Sequence, residues 1–317
     1  MVNLNEIVEH DINYISEPNE IKASLVICLW NMEHLLLRSM ETYCEQDFPT
    51  ESWELIIVND NSEGDVQPIL DYLKGKINFQ YIELKHSYGM RGNTMAFNIG
   101  FHFAKGSILM ESTPETMFTT DIVRRMYEPH LKYDRAFVAI KTFNLTFEQQ
   151  VQIDTVDWRE DVSNIMQIEG FFWDWTLNNF KTVHFGTHQT CSIKKSVFYE
   201  VFPDGFPLYG DYGSEDCRYS GLREQAGIKD ITIMQPMAFH QWHPTWHFWG
   251  TLGKAPNCNK WGHSMSNYMG DTSGEVSELG SSAIWDKGSK EQYTEAEIAE
   301  QRTWDDRVRA TGCKVKF

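Results

Sequence analysis

The sequence predicts an α/β fold: a mostly parallel central sheet flanked by helices, an aromatic-rich second half and an irregular C-terminal extension. Three observations predict it. Apolar runs of strand length alternate with stretches of helical period through residues 22–131. Turn-forming residues separate these segments. In the second half the alternation gives way to aromatic clusters, and most of the 11 Trp lie from residue 158 onward.

The elements follow in order. Residues 23–29, ASLVICL, form an apolar run rich in strand formers and read as a buried strand. A helical pattern at 32–45 places Leu35, Leu36, Met40 and Tyr43 on one side, and Phe48-Pro49 ends it. ELIIV at 54–58 is a second strand, closed by Asn59-Asp60-Asn61-Ser62. A helix at 66–74, a strand at 78–83 and an amphipathic helix at 92–104 come next, and Gly106 leads into the strand 107–110. Later strands look short. Helices are expected at 194–200 and 215–226, and a strand at 231–237. Residues 245–292 are rich in Gly, Ser, Asn and Trp and read as a long irregular lid. Thr294 with Glu297 three residues on is a capping box opening a last helix, 294–309.

Composition bounds the function. The 317 residues are 41% hydrophobic, enough for a sizeable core, and 45 acidic against 28 basic residues give a net charge of −17. Such a surface repels polyanions at long range, which argues against broad binding to nucleic acid or anionic membrane. The cysteines at 28, 44, 191, 217, 258 and 313 contain no CxxC pair and read as reduced thiols. The polar, acidic start MVNLNEIVEHDINY is not a signal peptide, and no apolar run approaches the roughly 18–20 residues of a membrane span. A cytoplasmic protein is expected, in which the sequon at Asn144 carries no glycan.

In a parallel sheet of this kind, ligands bind at the carboxyl ends of the strands. The residues there are Trp30 and Asn31, Asp60, and Glu111 to Glu115. A carboxylate such as Asp60 can accept from a base N–H or a ribose hydroxyl; it can equally cap the helix that follows. Further on, Glu215-Asp216 follows the Gly-rich stretch 209–214 and opens a predicted helix. There the pair would supply a base for an attacking hydroxyl or complement the helix dipole. His240, His243 and His247 lie within eight residues, but on an extended segment HxxH does not bring both rings to one face, so a dedicated zinc site is not expected.

ASLVICLWNMEHLL, ELIIVNDNSEGD and NTMAFNIGFHFAKGSILM, in this order, resemble the nucleotide-binding half of glycosyltransferases with the A-type fold, family 2 above all. The resemblance covers roughly residues 22–131 and implies four parts: an N-terminal extension at 1–21, a nucleotide-sugar-binding half at 22–131, an acceptor and catalytic half at 132–244, and a C-terminal lid and helix at 245–317. It implies nucleotide contacts at Asp60, Trp30, Asn31, Arg91 and Asn98, although Phe97 stands where the family's RNxG element has Arg. The family's metal-binding Asp-x-Asp is replaced by Thr113-Pro114-Glu115, similar to an Asn-Pro-Glu variant, which leaves Glu115 as metal-ligand candidate and Glu111 as its alternative. His240 and His243 are the candidates to complete the cation site. Glu215-Asp216 resembles the family's Glu-Asp signature, with Asp216 as general base and Glu215 beside it. Trp173, Trp175 and Trp242 are the aromatic candidates to stack on an acceptor.

These residues imply transfer of a sugar from a nucleoside diphosphate donor, a UDP-sugar, to the hydroxyl of a glycan, protein or modified-base acceptor. Mn²⁺ or Mg²⁺ would assist, and inversion at the anomeric carbon is expected. Two alternatives stand beside this reading. One is a viral-type transferase acting on a hydroxymethylated DNA base, with Lys194, Lys195, Arg218 and Arg223 as a local positive rim. The other is a non-catalytic module that keeps only the nucleotide-sugar pocket.

Overall fold

A computed structural model describes residues 4–15, 21–62, 64–85, 92–145, 147–153, 155–157, 164, 190–206 and 222–241. The described strands form one nine-stranded sheet. They are β1 (Ile7–Asn13), β2 (Ala23–Leu29), β3 (Trp53–Asn59), β4 (Asn78–Leu84), β5 (Ile108–Ser112), β6 (Thr116–Phe118), β7 (Ala136–Asn144), β8 (Thr190–Lys194) and β9 (Lys229–His240), in the spatial order β1-β4-β3-β2-β5-β8-β7-β9-β6. The centre, β4-β3-β2-β5, is parallel. β1 and β8 join it antiparallel on either side, β7 runs parallel to β9, and β6 closes antiparallel against β9. The helices are α1 (Glu33–Cys44), α2 (Gln67–Leu73), α3 (Gly92–Phe103), α4 (Ile122–Tyr127), α5 (Pro129–Lys132), α6 (Phe147–Ile153) and α7 (Lys195–Val201).

β2 and β3 read as unbroken apolar runs because both faces are covered; every residue of each is buried. Leu25, Ile27, Leu29, Leu55 and Ile57 meet α1, α2 and α4 on one face. Val26, Cys28, Ile56 and Val58 meet α3 and α7 on the other. Each fully buried Leu or Ile contributes about 1.5–3 kcal/mol relative to an exposed one. α2 starts with Pro68 in its first turn, where the missing N–H costs no helical hydrogen bond. Gly106 is required by contact: a Cβ there would lie 2.6 Å from the carbonyl carbon of Ala23, in the backbone of β2.

Residues 7–13, read from sequence as part of an extension, are an edge strand of the sheet. Glu54 helps hold them. Its fully buried carboxylate accepts from Tyr14 Oη (2.8 Å), Ser24 Oγ (2.6 Å), Gln80 Nε2 (2.8 Å) and the Lys105 N–H (2.7 Å). Four donors are what makes a buried carboxylate tolerable.

Two later strands are longer than the sequence suggested: nine residues in β7 and twelve in β9. Pro236 lies in β9, and prolines are expected at strand edges and irregularities. The pairing of β7 with β9 shifts register there, from Ile140↔Ile233 to Thr142↔Ala238. The strand continues through the irregularity, which the sequence pattern hides. Helix α4 starts at Ile122, four residues after the end of β6. Of the helix expected at 215–226, only 222–225 lie in described helical structure. Among the described residues no helix is long and apolar enough to cross a membrane.

Candidate active site

The parallel strands β2, β3, β4 and β5 end on one rim of the sheet, and the turns after β2 and β3 are bonded to each other. The Asp60 N–H donates to Leu29 O (2.8 Å), the Asn31 N–H to Ser62 Oγ (2.9 Å) and the Ser62 N–H to Asn59 Oδ1 (3.0 Å). Asn31 and Asn61 adopt φ of 53° and 52°, the left-handed region that Asn tolerates better than most residues. Asp60 and Trp30 are buried, and Asn31 is half-buried. Asn59 also donates to Tyr81 Oη (2.9 Å), whose own proton goes to Glu83 Oε2 (2.9 Å). The positive-φ Asn positions and Ser62 were legible as a turn, but not as a lock between two turns.

On the same rim, β5 runs into the turn that carries Glu115. β6 follows and pairs with the end of β9, Thr116 opposite His240. This brings together two residues far apart in sequence: His240 Nε2 lies 2.9 Å from Glu115 Oε1. With the carboxylate ionised it must accept, so Nε2 carries the proton in this arrangement. Helix α1 holds the segment from its side. Tyr43 Oη donates to Thr116 O (2.7 Å), the Phe118 N–H to Thr42 Oγ1 (3.0 Å), and Gln46 Nε2 to Thr119 O (2.8 Å).

The Cys28 thiol, near the end of β2, feels the charge of both Asp60 and Glu115. Burial first, then the negative charge of both carboxylates, pushes it well above the usual thiol range. Burial also raises the Tyr43 phenol, with Glu115 adding to the effect. Glu111, the alternative metal ligand, points elsewhere: it is buried on β5 and its Oε1 accepts from Cys191 Sγ at 2.7 Å across to β8. Burial and the Glu111 charge push that thiol up as well. Among the described residues no group of three or more His, Cys, Asp or Glu is disposed to hold a metal ion. With its proton moved to Nδ1, His240 could offer Nε2 to a divalent cation beside the Glu115 carboxylate, one nitrogen and one oxygen donor.

Other expected residues are placed differently. Asn98 is used in packing: its Nδ2 donates to Phe206 O (2.8 Å) and its Oδ1 accepts the Phe206 N–H (2.6 Å). The amide thereby clamps α3 to the turn at Gly205, whose φ of +86° favours glycine and where a Cβ would lie 2.5 Å from Asn98 Oδ1. The positive rim expected from Lys194, Lys195 and Arg223 does not form at this site. Lys194 pairs with Ile108, at the amino end of β5, and Lys195 follows it on that opposite rim. Arg223 is fully buried, stacked 3.5 Å from the Phe137 ring centroid and 3.5 Å from Asp230 Oδ1. Arg91, Trp173, Trp175, Glu215, Asp216, Arg218, Trp242 and His243 lie outside the described residues.

Comparison with known proteins agrees with this architecture. One curated relative, a dolichyl N-acetyl-alpha-D-glucosaminyl phosphate 3-beta-D-2,3-diacetamido-2,3-dideoxy-beta-D-glucuronosyltransferase from Methanococcus voltae, is 25% identical over 182 residues, 55% of this chain. The chain spans about half of that relative's length, 54%. Among solved structures, S. aureus TarS (residues 1–349) superposes with a TM-score of 0.52 at 11% identity, covering 93% of this chain and 88% of that one. A mannosyltransferase from Pyrobaculum calidifontis, PcManGT, solved with GDP-Man and Mn²⁺, gives a TM-score of 0.53 at 14% identity, covering 96% and 90%. These likenesses show the fold. The sequence profile described as glycosyl transferase family 2 matches residues 24–202, more than half of the chain, so the chain belongs to glycosyl transferase family 2, a family of sugar-transferring enzymes.

Proposed function

We propose that this chain transfers a glycosyl group from a UDP-sugar to an acceptor hydroxyl, with a divalent cation held by Glu115 and His240. The observation that carries the reading is the 2.9 Å meeting of these two side chains on the rim that also holds Asp60. A carboxylate and an imidazole in contact beside a nucleotide-binding turn fit a cation that would neutralise the diphosphate and ease departure of the nucleoside diphosphate. Asp60 would accept from the nucleoside, beside Trp30 and Asn31. Asp216 would take the proton of the attacking hydroxyl, since an alcohol is a poor nucleophile near neutral pH, with Glu215 beside it. In-line displacement would then invert the anomeric carbon. His243 would approach the diphosphate, and Trp173, Trp175 and Trp242 the acceptor. The structures of TarS with UDP-GlcNAc and of PcManGT with GDP-Man and Mn²⁺ favour a nucleotide-sugar donor and a cation.

The test is a panel of UDP- and GDP-sugars with Mn²⁺, read by nucleoside diphosphate release and by binding. Release from at least one UDP-sugar is expected. Neither release nor binding with any donor would overturn the enzyme reading. In Asp216→Asn, donor binding should persist while transfer falls at least about a hundredfold, the range of a lost general base. Full activity in that variant would reject the base assignment.

A further inference from the structure

Gln241 follows His240 directly and is buried, 1% exposed. Its backbone N–H donates to Glu115 O at 2.8 Å. Its side-chain Nε2 donates twice to α1, to Leu35 O at 2.9 Å and to Ser39 Oγ at 3.0 Å. One residue therefore bonds three elements: the end of β9 with His240, the turn with Glu115, and helix α1. That helix begins three residues after Trp30, so its position is tied to the nucleotide-side turn. The amide has one workable orientation. Turned over, it would set Oε1 against the Leu35 carbonyl, two acceptors facing each other.

We infer that Gln241 is a positioning residue: its amide sets the distance between the Glu115–His240 pair and the turns at Trp30–Asn31 and Asp60. The inference rests on the proposed cation role of that pair. A nucleoside diphosphate that engages Asp60 at one end and a cation at the other needs both ends at the right separation. An error of about an ångström at one end is enough to cost a large part of such a two-point interaction. Residues that orient metal ligands typically carry about 10–100-fold of metal affinity or activity. The loss from Gln241 should therefore appear in the coupling between cation and nucleotide, rather than in nucleotide binding alone.

The experiment measures UDP binding by calorimetry, with and without Mn²⁺, in wild type, Gln241→Met and Glu115→Gln. Gln241→Met keeps the side-chain length and removes the donors. The expected result is metal-free UDP affinity within about twofold of wild type, and a gain from Mn²⁺ at least about tenfold smaller. A gain equal to wild type would overturn the inference. An equal loss with and without Mn²⁺ would also overturn it, because it would mean a merely structural role. If wild type shows no gain from Mn²⁺, or Glu115→Gln leaves the gain intact, the cation reading itself fails and this inference with it. If Gln241→Met does not fold, Ser39→Ala carries the test. It removes one of the two acceptors and should lower the gain two- to threefold, by about 0.4–0.7 kcal/mol; an unchanged gain there would overturn the inference.

Discussion

The two walls of the candidate site differ in how far they rely on directional bonds. The Asp60 side, β2 to β5 with α1, α2 and α3, is fixed by apolar burial: every residue of β2 and β3 is buried between two apolar layers. The far side, β6 with the end of β9, shares that apolar packing on α1 through Phe118 and Ala238, and adds directional bonds with Tyr43, Thr42, Gln46 and Gln241. Burial is non-directional and sets layers. Holding an imidazole 2.9 Å from a carboxylate needs hydrogen bonds of defined geometry.

Breaking the first wall should have the largest effect on stability. Gly106→Ala drives a Cβ into the backbone of β2 and should cost about 3 kcal/mol or more, read as a collapse of the urea midpoint. Glu115→Gln sharpens the contrast at the second wall. Turnover should fall about a hundredfold, equivalent to about 2.7 kcal/mol of barrier, while the melting temperature stays near wild type.

His130 tests the directional bonding by pH. Ser192 Oγ donates to Met126 O (2.9 Å), so His130 Nε2 donates to Ser192 Oγ (2.9 Å). Burial, aided by the Lys194 charge, lowers the imidazole from 6.5 to about 4. The unfolded chain therefore takes the proton first. Stability is complete above pH 6.5 and is lost as pH falls toward 4, by about 2 kcal/mol between pH 6.5 and 5. His130→Gln keeps a donor without titrating. Urea unfolding should show this part of the acid loss in wild type and not in the variant. The smallest effect is expected from Tyr43→Phe, which removes the bond to Thr116 O and should cost about 1 kcal/mol in urea unfolding, with a fall in turnover as the Glu115 turn loosens.

The same division decides what was legible in the sequence. β2, β3, β4 and their helices were readable because burial writes itself as apolar runs and helical periodicity. Glu115 and His240 were readable as partners only through the family resemblance, and the structure brings the two side chains together. β7 and the full length of β9 were not: a mixed run, AFVAIKTFN, and a strand containing Pro236 carry no clean period. β1 was hidden for a different reason. Its polar, acidic residues lie at a sheet edge, and it is held by Tyr14 on a carboxylate in β3. Asn98 shows a long-range bond that the sequence hides. The motif position marks Asn98 for a ligand, and nothing in the sequence shows that its amide also engages the backbone of Phe206, more than a hundred residues away. Gln241 left no signal, since no periodicity marks a buried amide that bridges a strand end and a helix.

The most direct measurement is an anomalous difference map from crystals grown with Mn²⁺ and UDP, collected at the manganese edge. The account predicts one strong peak in coordination contact with Glu115 and His240, with UDP running from it to Asp60. A peak elsewhere, with Glu115 and His240 still bonded to each other, would contradict it.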